Sequence, residues 1–138
     1  MTKGDVLIAG SSVTAEGLAL TVPISFWGGV DPKSGTIADP RHPQHGVSVA
    51  GRVLFVPATV GSSSAAAVLL ELVHGGRAPA ALVLHEPDAI LLLGLIVALE
   101  MGYPVPMAIR LDRTTFADFD GRQVTVRDDG TVSYLPPI

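Results

Sequence analysis

Hydrophobic residues in this chain fall into blocks of two lengths. Val53-Leu54-Phe55-Val56, residues 80–84 and residues 105–109 are short apolar runs of strand size. Between them lie two longer apolar blocks. The pattern predicts a helix over residues 64–74, stopped by Gly75-Gly76. It predicts a second over residues 88–101, with Asp88 as N-cap and Gly102 and Pro104 as the stop. Strands alternating with helices from Gly51 onward imply α/β architecture around a parallel sheet. Upstream, Val6 to Leu20 reads as strand, turn, strand, and Leu18-Ala19-Leu20-Thr21-Val22 stays β-favouring as far as Pro23. At the other end, residues 123–126 and 131–135 flank Asp128-Asp129-Gly130 and read as a hairpin with an Asp-Gly turn. Phe26 to Gly51 has no clear period and holds Gly28, Gly29, Pro32, Gly35, Pro40, Pro43 and Gly46. An irregular stretch of that length is usually functional or disordered. Phe26 and Trp27 argue against disorder, since they can anchor it to a core or to a partner.

The two helices are apolar nearly all round: Val68-Leu69-Leu70-Glu71-Leu72-Val73 in the first, Ile90 to Leu99 in the second. A surface helix needs a polar face. Either both helices sit centrally in a layered fold, or a second subunit covers them. With 138 residues the chain reads as one domain, 1–138, and a domain of this size leaves about a third of its unfolded surface in water. That favours the missing subunit, and a homo-oligomer is the alternative when the partner is absent. The rest of the composition mainly excludes. A formal net charge of −4 and no basic run argue against nucleic acid or an anionic membrane as partner. The longest apolar run is too short to span a bilayer, and the first residues lack a signal-peptide pattern, so a cytoplasmic protein is expected. There is no cysteine, hence no disulfide and no iron–sulfur or zinc–thiolate site made by this chain alone.

The most informative local feature is Gly61-Ser62-Ser63-Ser64, set between a strand and a helix. A helix N-terminus presents free N–H groups at its positive end and suits a carboxylate or a phosphate. A serine there is also a common N-cap, so the turn by itself carries two readings. Glu86 follows the strand at 80–84 and belongs to the same C-terminal sheet edge, where α/β folds bind ligands. Asp88 is explained as a cap, Arg52 as structural at the opposite edge, and His74 and His85 as a helix-end cation and a strand-end residue. His42 and His45, with Asp39 nearby, make a weak metal motif; no metal site is assigned.

The run Pro23-Ile24-Ser25-Phe26-Trp27-Gly28-Gly29-Val30-Asp31-Pro32, together with Gly35-Thr36-Ile37, His42-Pro43, Ala50-Gly51-Arg52-Val53, Gly61-Ser62-Ser63-Ser64, Ala78-Pro79-Ala80 and the stretch 86–94, resembles the small subunit of the aconitase X family. The resemblance covers roughly residues 5 to 110. It implies a swivelling β/β/α domain like the C-terminal domain of aconitase, here ending in a β-hairpin. It further implies a two-subunit hydro-lyase, active only with a cysteine-bearing large subunit that holds an iron–sulfur cluster. Ser62 matches the serine that abstracts the substrate proton, and Gly61, Ser63, Ser64 and Glu86 are the expected substrate-binding residues. Family members often carry arginine or another glycine just before this turn, where this chain has Thr59-Val60. The family's two known substrates are cis-3-hydroxy-L-proline, dehydrated to a pyrroline carboxylate, and 5-phosphomevalonate. Low charge and only two lysines lean toward the first. A non-catalytic anion-binding module is the alternative from another class.

Overall fold

A computed structural model describes residues 2–61 and 63–135. Its elements are β1 (Thr2–Lys3), β2 (Asp5–Ile8), β3 (Val13–Ala19), a kinked single turn α1 (Phe26–Gly29), β4 (Val53–Val56), α2 (Ser64–His74), β5 (Ala81–Leu84), α3 (Ala89–Glu100), β6 (Met107–Arg110), a 3-10 helix (Arg113–Phe119), β7 (Gln123–Val126) and β8 (Thr131–Tyr134). The strands form one sheet in the order β1-β8-β7-β3-β4-β5-β6-β2. Only Gly4 separates β1 from β2, so the chain itself joins the two ends of the sheet, which is nearly closed. The expected parallel sheet is the central part, β3-β4-β5-β6; the remaining pairings are antiparallel.

Residues of β4 and β5 are buried on both faces, which is why both read as unbroken apolar runs. Leu54, Val56, Leu82, Leu84 and Ala108 pack with α2, α3 and the irregular stretch. Val53, Phe55, Ala81, Val83 and Met107 pack instead with β7, β8 and the 3-10 helix. There Phe55 stacks on Phe119 at 5.1 Å between centroids, and Phe116 tilts against it at 5.3 Å. The result is a β/β/α layering, as the resemblance implied.

The ends of β3 and β6 differ from the sequence reading for local reasons, while the hairpin turn falls where it was expected. β3 ends at Ala19 rather than Val22, because the Thr21 N–H leaves the sheet and donates to Gln44 Oε1. β6 begins at Met107 rather than Val105, since prolines 104 and 106 offer no ladder N–H. The hairpin turn is Arg127-Asp128-Asp129-Gly130, with Gly130 at φ +91 and its N–H donating to the Arg127 carbonyl at 2.9 Å. A Cβ at Gly130 would lie 2.6 Å from the Gly4 carbonyl oxygen, so glycine is what lets β8 meet the β1–β2 junction.

The irregular stretch is ordered by pairing. Val30 bridges Ile37, Thr36 bridges Ser48, and Phe26, Val30, Ile37 and Val49 are buried. The two aromatic residues divide the anchoring expected of them. Phe26 enters the core, while Trp27, at φ −73 and ψ 112 where the turn kinks, is 61% exposed.

Candidate active site

The serine turn grows out of β4. Beyond Val56 the backbone at residues 58–60 runs beside Ile24: Thr59 bridges Ile24, the Ile24 N–H donates to the Ala58 carbonyl at 3.2 Å, and the Val60 N–H donates to the Ile24 carbonyl at 3.0 Å. The turn is therefore stitched to the segment that opens Ser25-Phe26-Trp27. On its other side Thr59 Oγ1 donates to Asp88 Oδ2 at 2.6 Å, while Asp88 Oδ1 accepts from the Leu91 N–H at 3.0 Å. One carboxylate thus caps α3, as expected, and also ties the start of that helix to the turn that follows β4. Both turns lie at the C-terminal edge of the parallel strands, the edge where α/β folds bind ligands.

Ser62 lies outside the described residues. Around it, Gly61 is exposed with open space where a Cβ would point, and Ser63 is the N-cap residue of α2. Ser63 does not behave as a plain cap: its φ/ψ of −59/−24 is helical and its hydroxyl makes no capping bond. The first turn of α2 also carries no acidic residue. The positive end of this 11-residue helix is left without an acid of its own. Ser64 is half-buried at the helix start. Glu86 is exposed two residues before Asp88, on the same edge.

The same edge holds residues that the sequence reading passed over. Arg110 Nε donates to the His85 carbonyl and the Arg113 N–H donates to His85 Nδ1, each at 3.0 Å. His85 is thus the satisfied strand-end residue expected. Asp112 accepts from the Thr114 N–H at 2.9 Å and from Thr114 Oγ1 at 2.7 Å. These bonds, helped by His85 and Arg110, hold its carboxyl below the ordinary value of 3.8. A cavity of about 370 Å³ opens beside them, bounded by Leu20, Thr21, Pro57, Arg113, Phe116 and Asp120. The missed signal was positional: Arg110 ends a strand, so Arg113 had to emerge at the ligand edge.

The remaining candidates do not converge. His42 is buried and its Nδ1 accepts from the Gln44 N–H, whereas His45 is exposed. His42 Nε2 is buried without a hydrogen-bond partner among the described residues. Among those residues no group of three or more His, Cys, Asp or Glu stands ready to hold a metal ion. Arg52 pairs with Glu16 at 3.3 Å, a structural contact at the far edge. His74, in the last turn of α2, shares a 2.6 Å hydrogen bond with the Tyr103 hydroxyl. Among the described residues no helix is long and apolar enough to cross a membrane.

Comparison with known proteins agrees with the fold. The family model of the aconitase X swivel domain matches residues 1–134. A cis-3-hydroxy-L-proline dehydratase of Pseudomonas aeruginosa is 50% identical over 103 residues, which is 74% of this chain and 18% of that protein. A phosphomevalonate dehydratase small subunit of Methanocella arvoryzae is 35% identical over 129 residues, 93% of this chain and 92% of that one. The crystal structure of Thermococcus kodakaraensis aconitase X in its holo-form superposes with a TM-score of 0.84 at 29% identity, covering 97% of each chain. The chain therefore spans about a fifth of the hydroxyproline dehydratases it matches, but nearly the full length of several small subunits.

Proposed function

This chain belongs to the aconitase X family as its swivel domain, and on that premise we propose that it is the small subunit of a two-subunit dehydratase acting on a hydroxy acid. The observation that carries the reading is the serine turn. It is a Gly-Ser-Ser-Ser run that follows directly on residues 58–60, which are held on one side by Ile24 and on the other by Asp88, and it precedes a helix with no acid in its first turn. In this reading Ser62 takes the proton from the carbon next to the substrate carboxylate.

A serine hydroxyl is a weak base unless its surroundings stabilise the alkoxide. The positive N-terminal end of α2 supplies part of that stabilisation, and exclusion of water by a covering subunit strengthens it. In this reading Ser63, Ser64 and the Gly61 backbone hold the carboxylate. In the same reading Glu86 on the neighbouring turn meets a hydroxyl or a ring ammonium group. The chain has no cysteine, so the thiolates of an iron–sulfur cluster come from the large subunit. The cluster, when bound there, supplies Lewis acidity to the departing hydroxyl. The proton leaves one carbon to Ser62, the electron pair of that C–H bond forms the new double bond, and hydroxide departs from the adjacent carbon. For cis-3-hydroxy-L-proline the organic product is a pyrroline carboxylate, and the balance is closed by water.

We infer cis-3-hydroxy-L-proline as the substrate, supported by the 50% identity to the Pseudomonas aeruginosa enzyme of that name. The second reading, 5-phosphomevalonate, is favoured by the lengthwise match to the archaeal small subunits. The experiment is co-expression with a cysteine-bearing large subunit of the same family, followed by anaerobic assay on both compounds. Dehydration of hydroxyproline alone supports the first reading. Dehydration of phosphomevalonate alone replaces it with the second. A stable complex that turns over neither compound removes both.

A further inference from the structure

The outer side of the helical layer is apolar over most of its width. α3 turns Leu91, Leu92, Leu95 and Ala98 inward and leaves Ile90, Leu93, Ile96, Val97 and Leu99 between 42% and 53% exposed. It has no charged side chain before Glu100. Two grooves flank α2, and both are lined by Ala67. One, of about 270 Å³, lies between α2 and α3 and is bounded by Ala66, Leu70, Leu93, Gly94 and Val97. The other, of about 370 Å³, lies between α2 and the segment after α1, with exposed Trp27 on its rim and Asp31 and Glu71 among its walls. A contiguous apolar face of this kind marks an interaction surface.

We propose that this face seats the cysteine-bearing large subunit, with apolar side chains in both grooves and a lysine or arginine against Asp31 and Glu71. This rests on the subunit reading above and adds to it the surface and the chemistry of contact. Three observations choose this occupant over a second copy of the chain. The grooves begin in the first turn of α2, at Ala66 and Ala67, so whatever fills them meets the helix at the end that the serine run leads into. A second copy would crowd that turn without supplying a single cysteine. Asp31 and Glu71 line one groove and Glu100 ends α3, three acids against Lys33 beside Asp31, so two copies pairing through the face would bring acid toward acid, whereas a basic rim on a different chain is attracted. The chain also matches only 18% of the Pseudomonas aeruginosa enzyme but 92% of the Methanocella arvoryzae subunit, so this domain occurs both within a much longer polypeptide and as a separate chain.

The test compares complexes of the native chain, the double variant Leu93→Asp/Val97→Asp, Trp27→Ala and the remote Arg127→Glu with the co-expressed large subunit. Sedimentation and titration give the affinity. The double variant is expected to weaken the complex at least 100-fold while the isolated chain keeps its Tm, because both side chains are exposed. Trp27→Ala is expected to weaken it about tenfold, and Arg127→Glu to leave it unchanged. A complex of native strength in the double variant overturns the surface and leaves the subunit reading standing. Absence of any complex with the native chain overturns both. Self-association of the chain alone that the double variant abolishes, with the heteromeric complex intact, assigns the face to a second copy and overturns the proposal.

Discussion

Replacing Gly94 by alanine should destabilise this protein, although the same change in an ordinary helix interior stabilises by about 1 kcal/mol. Gly94 lies where α3 crosses α2. A Cβ built there falls 2.4 Å from the Ala66 carbonyl oxygen, about 1 Å inside ordinary contact. The clashing atom belongs to backbone, so no side chain can swing aside and the helices must separate. Overpacking of this kind costs about 1–3 kcal/mol, and an immovable neighbour places it near the upper end. Subtracting the helix-propensity gain leaves a net loss of about 2 kcal/mol, or a Tm lower by about 4–8 °C for a chain of this size. Thermal unfolding followed by circular dichroism measures it. Ala66 stands three residues beyond Ser63, so the same displacement moves the serine turn. Turnover by the assembled enzyme should then fall by about tenfold to 100-fold. A Tm equal to or above that of the native chain would refute the close crossing of α2 and α3 and the rigidity assigned to it.

Other predictions follow from single contacts. Asp88→Ala removes both the α3 cap and the Thr59 bond; it should cost about 1–2 kcal/mol and speed amide exchange at Val60, and unchanged exchange there would contradict the tie between the two turns. Ser63→Ala should alter stability by less than about 0.5 kcal/mol, because its hydroxyl caps nothing; a loss of about 1 kcal/mol or more in chemical denaturation would restore it as an ordinary N-cap. Asp31, Asp112 and Asp129 are each held below 3.8, chiefly by backbone N–H donors at Lys33, Thr114 and Thr131. Their folded-state values lie below the unfolded one, so their contribution is fully present above about pH 5 and disappears as the pH falls through those lowered values. Asp112→Asn should flatten part of the acid limb of a Tm-against-pH curve, and an identical limb would show that its bonds to Thr114 do not persist in solution.

Much of the fold was legible because its signals are local. β4 and β5 are short and apolar on both faces, and α3 is bracketed by Asp88 and Gly102. What could not be read is the pairing of distant segments. Nothing in the sequence says that β1 and β2 lie at opposite ends of the sheet order, or that Gly130 meets Gly4. The direction of Trp27 was equally hidden, because it depends on a kink one residue beyond buried Phe26. At the candidate site, the Gly-Ser-Ser-Ser run and Glu86 were found from strand ends and helix starts. Arg113 and the Thr59–Asp88 bond were not, since both depend on which strands become neighbours. The exposed face of α3 was foreseen in kind, because a helix apolar all round has to be covered, but the grooves beside it depend on how α2 packs.

The most direct measurement is the turnover of Ser62→Ala in a complex whose stoichiometry and cluster absorbance match those of the native enzyme. If the serine turn supplies the base, kcat falls by about 100-fold or more while substrate still binds and the two subunits stay together. Turnover within a factor of about two of native would contradict the assignment, leaving this chain as a scaffold and moving the base to the large subunit.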